Sequence, residues 1–395
     1  MNEQLIVKNF GPIKDATVDF KKVTVFIGPT GGGKSTLAKL AAICRDVKPL
    51  GEPNANISTL KQFNLNSHRN SESVFKWVFG DYAFYVEDAD LKFNDSLSAA
   101  MRDYGQKFID DLLTTISIKD FNDVKSDKHK QIIANLVKDV ATRASIDAMD
   151  QLVIKSIPHY IPSERIFVPA VEYSWAGLMR DDIGLPKLLL DFANNFSLSR
   201  KEIPELSIPF LDVTYLHIDG KDFIKIPHRT ELLMLLETAS GIQSATPLMV
   251  LLEKLSRNTS SPQSFIVEEL ELNLYPTAQQ GLLNWLVEKC TKAENDLTLT
   301  THSPYILSHL NLLLYAYQVA KNHPERKAEV AAIVPEASWI NPKEFACYQV
   351  ENGGVQSLVN EELGLIDNNE LDALSGDAAD AFDNLVRLSK SVSVK

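Results

Sequence analysis

An α/β fold with a mixed sheet, organised around a phosphate-binding loop and interrupted by a helical insertion, is what this sequence predicts. Three observations lead there. Gly28-Pro29-Thr30-Gly31-Gly32-Gly33-Lys34-Ser35 fills every fixed position of the G-x-x-x-x-G-K-[ST] pattern, with a strand-like run before it and helix formers after it. The short apolar run Ser264-Phe265-Ile266-Val267 ends in the adjacent carboxylates Glu268 and Glu269. A third run, Leu297-Thr298-Leu299-Thr300-Thr301, delivers His302 just beyond its end.

In chain order, Ile6-Val7-Lys8-Asn9-Phe10-Gly11-Pro12-Ile13 opens the fold, and a second strand runs on to Phe20. Val23-Thr24-Val25-Phe26-Ile27 reads as a buried strand entering the loop, and residues 36–43 as the helix leaving it. Glycines 28, 31, 32 and 33 let consecutive N–H groups converge on phosphate oxygens where no side chain blocks the approach. The helix start, Thr36 included, adds unpaired amides and a positive dipole end; Lys34 is suited to reach the β and γ phosphates and Ser35 to ligate Mg²⁺. Chance alone matches the four fixed positions in roughly 1% of chains this long. The flanking strand and helix therefore decide for a nucleoside triphosphate, through a loop that kinases, GTPases, helicases and transporters share.

Residues 1–45 are thus the N-terminal part of a core. Residues 46–72 are rich in Pro, Gly, Asn and Ser and read as an exposed connection. Helical spacing follows over 73–156, at Ile109, Leu112, Leu113 and Ile116, then at Ile132, Ile133, Leu136, Val137 and Val140. The expectation is a linker and compact helical insertion over 46–156, without the sustained heptads of a long coiled coil. Lys119, Lys125, Lys128 and Lys130 are interleaved with Asp120, Asp123 and Asp127, which reads as a solvated face rather than a DNA contact. Gln62 is the weak candidate for a glutamine that senses the nucleotide; its ordinary role is surface polarity.

The core resumes over 157–363. Alternating residues from Val213 to Ile224 flank Asp219-Gly220, a hairpin turn. Ser240-Gly241-Ile242-Gln243 opens an apolar helix, with Ser240 expected as its N-cap; a hydroxyl, a close backbone and a dipole at one point suit a γ-phosphate. After the loop 258–263, Glu268 and Glu269 face opposite ways because successive strand residues do. That gives Glu268 a metal role and Glu269 a general-base role, an assignment that can also be swapped. Paired glutamates at a strand end are otherwise a solvated helix start, and a lone histidine such as His302 is ordinarily structural. The tail 364–395 is acidic and helical in pattern, and capping of the core is expected of it.

With 395 residues, 45% of them hydrophobic, the chain can bury one large core or two modest ones. Cys44, Cys290 and Cys347 are few and widely spaced, which suggests neither a disulfide framework nor a zinc site. No basic segment leads an apolar run at the start and none is long enough to span a bilayer, so a cytoplasmic, membrane-free protein is expected. A net charge of −12 repels nucleic acid on average.

The order of phosphate loop, Ser-Gly-x-Gln, Glu-Glu strand and histidine resembles the ABC-type ATPases of the OLD, SMC and RecF group. Glu268-Glu269-Leu270-Glu271-Leu272-Asn273-Leu274-Tyr275-Pro276 is similar to the extended Walker B pattern of the OLD-like branch, with Leu270 where that branch has proline. Thr300-Thr301-His302-Ser303-Pro304-Tyr305 resembles its switch-histidine strand, and Tyr160-Ile161-Pro162-Ser163-Glu164-Arg165 a Pro-Ala-Glu-Arg element of standalone bacterial defence ATPases. The resemblance implies an ABC-type ATPase head whose two copies, or a higher homo-oligomer, close head to tail around ATP and Mg²⁺. Ser240, Gly241 and Gln243 of one copy would then complete the site of the other. It further implies a switch that controls a separate effector, a nuclease or Toprim protein, as in antiphage systems such as PARIS or Septu, with a phage protein or nucleic acid as trigger. The alternatives are a RecF-like ATPase of DNA maintenance and an ATP-dependent scaffold of slow turnover. No Toprim nuclease is expected within the chain, because Asp88-Ala89-Asp90 lies in the insertion without an apolar strand beside it.

Overall fold

The computed structural model describes residues 3–46, 55–87, 90–115, 152, 156–171, 185–367 and 381–387. The α/β expectation holds. Strands β1 (Glu3–Phe10), β2 (Ile13–Phe20) and β3 (Val23–Ile27) lead into helix α1 (Lys34–Arg45). After α2 (Ala55–Gln62) come β4 (Val74–Phe79), β5 (Tyr82–Glu87), β6 (Asp90–Phe93) and α3 (Asp95–Thr115). Next are β7 (Ile157–Ile161), a 3-10 turn at Ser163–Phe167, α4 (Val168–Val171) and α5 (Lys187–Glu202). Strands β8 (Glu205–Ile208), β9 (Val213–Ile218), β10 (Lys221–Lys225) and β11 (Leu233–Met234) precede α6 (Ser240–Ser256). Then follow β12 (Gln263–Val267), α7 (Pro276–Cys290), β13 (Asp296–Thr300), α8 (Pro304–Asn322) and α9 (Lys327–Ile333). Strands β14 (Phe345–Glu351), β15 (Gly354–Ser357), β16 (Val359–Asn360) and β17 (Leu365–Ile366) end the fold.

The central sheet runs β15-β14-β3-β13-β12-β7, parallel throughout except for the β14–β15 hairpin. Every residue of β3, β12 and β13 is buried, as a sheet covered on both faces requires. β14, β3, β13, β12 and β7 thereby deliver their carboxyl ends to one edge, where ligands of open α/β sheets bind. A second, antiparallel sheet, β2-β1-β4-β5-β6, packs its alternating apolar face on α1, burying Phe10, Phe20, Phe75 and Trp77. Between the two sheets Arg45 is 3% exposed, donates to Glu3 and Ser264, pairs with Asp296 at 3.1 Å and lies over the Phe20 ring. Burial outweighs that pairing at Asp296 and lifts its carboxyl to about 6. A third sheet, β11-β10-β9-β8, forms around the expected hairpin; Asp219 and Gly220 take φ of 51° and 76°, the left-handed pair a two-residue hairpin loop needs.

Several expectations are corrected. The segment read as helical from residue 73 begins with three strands, β4 to β6, that extend the N-terminal sheet; Phe75, Trp77 and Phe79 bury alternately along β4. Ile109, Leu112 and Leu113 do fall in α3, whereas Ile116, the 132–140 pattern and the lysines 119–130 lie outside the described residues. The connection 46–72 holds α2 and a 3-10 turn at Asn66–His68, and Leu60 and Leu65 are buried there because they pack under the N-terminal sheet. Asp90 does have apolar strands beside it, since it opens β6 of a hairpin; Asp88 and Ala89 lie outside the described residues. Of the tail 364–395, Leu365–Ile366 form strand β17 rather than helix, with Ile366 buried in the core, and residues 381–387 are helical with Phe382 and Leu385 exposed; 368–380 and 388–395 lie outside the described residues. Among the described residues no helix is long and apolar enough to cross a membrane.

Candidate functional site

The phosphate loop bridges β3 and α1 and is closed around by backbone. Gly28 has φ 137°, and a Cβ there would meet the Val350 carbonyl oxygen at 2.3 Å; Gly33, the N-cap of α1 at φ 112°, would meet the Ile13 side chain at 2.4 Å. No residue with a side chain fits either position. Lys34 is 5% exposed, and its Nζ donates to the carbonyls of Gly28 at 2.8 Å and Pro29 at 2.9 Å. Burial lowers the Lys34 pKa, and Glu269, Glu271 and Glu268 oppose that by attraction. An ammonium so poorly hydrated and facing acidic groups is suited to a phosphate.

A cleft of about 320 Å³ opens over the loop, lined by Thr30, Gly31, Lys34, Ser35, Glu269 and His302. Thr36 and Gly33 line it too, beside Thr300. Three sheet strands build it. β3 supplies the loop. β12 ends at Val267, so Glu268 turns inward, 4% exposed, while Glu269 turns to the cleft with its side chain 38% exposed. β13 carries Thr300, whose Oγ1 accepts from the Glu269 amide at 3.0 Å, and two residues on His302 sets Nε2 3.9 Å from Glu269 Oε1.

The carboxylates therefore do face different ways, but not as an extended strand would set them: Glu269 takes φ 43°, the left-handed region. Leu270 is fully buried and donates its amide to the Thr300 carbonyl at 3.4 Å, so leucine fills the position after the carboxylates as core. Glu268 Oε1 is buried with no hydrogen-bond partner. A carboxylate oxygen so placed fits a divalent cation or its water shell; Ser35 lines the cleft and Glu268 lies behind it, and Mg²⁺ asks for only one or two protein ligands. The Tyr160 phenol lies beside Glu268, and burial together with that carboxylate raises its pKa well above the ordinary value.

Ser240, Gly241 and Gln243 line no part of this cleft. Ser240 is the first residue of α6 and Ala239 its N-cap, with extended dihedrals and no side-chain cap, so the expected capping role of Ser240 is corrected. Gln243 Nε2 donates to the carbonyls of Leu236 and Thr238 and shapes the turn before the helix. Gly241 lies against the Asn273 carbonyl, 2.7 Å from where a Cβ would stand. Ser240 is exposed, with Leu236 and Tyr275 exposed near it, Tyr275 by 76%. Gln62 donates to Asp191 and lines a separate cleft with Phe63 and His159, away from the loop.

Sequence reasoning missed two contributors. His68, from the 3-10 turn after α2, lines the cleft beside Pro12; its carbonyl accepts from the Gly11 amide at 2.7 Å and its Nδ1 is buried without a partner. Burial, then the nearby Lys39, lowers its pKa, so it is neutral at physiological pH. The signal was Gly11, since a Cβ at that turn would meet the His68 ring at 2.7 Å. Glu271 accepts from the Thr301 hydroxyl at 2.7 Å and from the His302 amide, and so fixes the turn that presents His302. The two-residue spacing from Glu269 was the visible hint.

Residues 1–156 match the AAA ATPase domain family, a stretch that holds the phosphate loop and stops short of Glu268 and His302. No curated protein matches the chain. Among solved structures, an SMC head domain from Thermotoga maritima is 13% identical, over 90% of this chain and 98% of that one, with a TM-score of 0.38. The recombination mediator protein RecF-ATPrS of the RecFOR pathway is 11% identical, over 90% of this chain and 97% of that one, with a TM-score of 0.32. At such scores the site's own geometry carries the functional reading.

Proposed function

We propose that the chain is an ATP-binding and ATP-hydrolysing switch subunit, two copies of which close around ATP and so control a separate effector. The observation that carries the hydrolysis reading is the convergence, in one cleft, of Lys34 and Ser35 with Glu269 and His302 from two other strand ends. In this reading the loop amides and Lys34 neutralise the phosphates, Glu269 polarises the attacking water, and His302 contacts the γ-phosphate. Ser35 and Glu268 would hold Mg²⁺, which when bound supplies charge neutralisation at the phosphate oxygens.

Closure by a second copy is supported by what the cleft lacks and the surface offers. Ser240 stands at an exposed helix start, outside its own cleft and beside exposed Leu236 and Tyr275. An anion-binding helix start facing solvent suits a phosphate delivered by another molecule. Binding then favours the closed pair, and hydrolysis weakens it by removing the bridging phosphate. The effector, a nuclease in an antiphage system, is proposed on the resemblance of residues 160–165, 268–276 and 300–305 alone; the net charge of −12 weighs against a DNA-loading role.

The test separates binding from chemistry. Glu269→Gln should lower turnover roughly 10²–10⁴-fold while sparing ATP affinity, whereas Lys34→Ala should weaken affinity itself. Equal losses of affinity in both variants would contradict the assigned roles.

A further inference from the structure

Arg165 sits in the 3-10 turn that follows β7, and it is 1% exposed. A guanidinium this deep must find acceptors, and it finds main-chain carbonyls. Its Nη1 donates to the Glu268 carbonyl at 2.6 Å and the Pro162 carbonyl at 3.2 Å, and its Nη2 to the Glu269 carbonyl at 2.7 Å. Consecutive carbonyls of an extended strand point to opposite sides, so one planar fork cannot serve both. It serves both here because Glu269 takes φ 43°, a conformation that residues with a Cβ rarely adopt. The same peptide is tied from two other sides, Glu268 N to the Ile161 carbonyl at 3.0 Å and Glu269 N to Thr300 Oγ1 at 3.0 Å. Burial lowers the Arg165 pKa to about 10, with Glu271, Glu269, Glu268 and Glu164 opposing, so it stays charged at neutral pH.

The turn that carries Arg165 also packs on α6, the helix that begins at Ser240. We propose that Arg165 is a positioning residue: it holds the Glu268-Glu269 backbone in its left-handed turn, which aims Glu269 into the cleft while Glu268 stays buried, and it ties that geometry to the helix presenting Ser240. The inference rests on the hydrolysis reading above. Arg165 touches neither substrate nor cation in this account; it acts through the two carbonyls, and α6 reports to the carboxylates through it.

Arg165→Lys keeps the charge but loses the fork, since an ammonium cannot meet two divergent carbonyls with planar geometry. Two readouts decide. In nucleotide-free protein, hydrogen exchange at the amides of Glu269 and Leu270 should speed up in Arg165→Lys while exchange across Gly31–Ser35 stays as in the parent. Turnover should fall by about 10²-fold with ATP affinity unchanged, the signature of a misplaced group rather than a lost binding contact. Combined with Ser240→Ala, the double variant should lose less than the product of the single losses, because both act on one unit. A folded Arg165→Lys with parental exchange and turnover would overturn the clamp, as would parallel losses of affinity and turnover. Strict multiplicativity with Ser240→Ala would overturn the tie to α6. Should the parent not hydrolyse ATP, the function proposal fails, and the exchange readout still decides the clamp by itself.

Discussion

Glu269 and Lys34 occupy one cleft for opposite reasons. Lys34 is buried by the loop that folds around it, so a neutral replacement removes a cation that the phosphates need and leaves the carboxylates unbalanced. Glu269 is half-open to solvent and 3.9 Å from His302, so it can meet a water, and its amide analogue can fill the same space without accepting a proton. Neighbouring backbone sets a second kind of limit. Gly28→Ala would press a methyl group to 2.3 Å from the Val350 carbonyl, and since backbone cannot step aside, the loop itself must shift. ATP binding should be lost in Gly28→Ala; a binding titration checks this, and affinity equal to the parent's would show that the loop is not held where β14 holds it. Gly31, with nothing within 4 Å of its Cβ position, is the contrasting control: strain from its φ of 79° alone should weaken binding less.

At the scale of elements, the buried ion network of Arg45, Glu3 and Asp296 joins α1 to β1 and β13. Arg45→Met would strand two carboxylates in the core, at a cost of about 3–5 kcal/mol, read as a fall in the unfolding midpoint. On β7, His159 Nε2 donates to Gln263 Oε1 at 2.7 Å, and burial lowers its pKa below 6.5. The folded state thus prefers the neutral ring, while the unfolded chain takes up a proton as pH falls through 6.5; stability is present above that pH and drains away below it. His159→Gln should flatten that part of the acid limb in thermal melts, and an unchanged slope would assign the loss to other groups. Legibility in the sequence followed what each element needs from its own residues. The phosphate loop, β12 and β13 were readable because their chemistry is written in side-chain types at fixed spacing. Strands β4 to β6 were not, because Val74-Phe75-Lys76-Trp77-Val78-Phe79 is apolar enough to satisfy either period, and only its pairing with β1 shows that Phe75, Trp77 and Phe79 share a face. His68 and the role of Arg165, whose Pro-Ser-Glu-Arg setting was itself visible, were hidden for a further reason: they act on main-chain carbonyls and amides, which leave no mark on the residue types of their partners.

For the whole molecule, the central sheet gathers five strand ends at one edge and leaves Ser240 elsewhere on the surface. If a second copy supplies that helix start, two defects in different chains should complement. Lys34→Ala spoils the loop and keeps Ser240; Ser240→Arg keeps the loop and blocks the helix start with a bulky cation. Each alone should be inactive, and their mixture should recover turnover through the one intact composite site of the mixed pair. Recovery in neither the mixture nor at raised concentration would place the whole reaction within a single chain.

Closure around the nucleotide is read from the solution mass of the Glu269→Gln protein with and without ATP and Mg²⁺. A pair, or a higher multiple, should form only with the nucleotide, because the variant binds ATP and cannot release the bridging phosphate. The same mass in both conditions, with ATP shown to be bound, would contradict it.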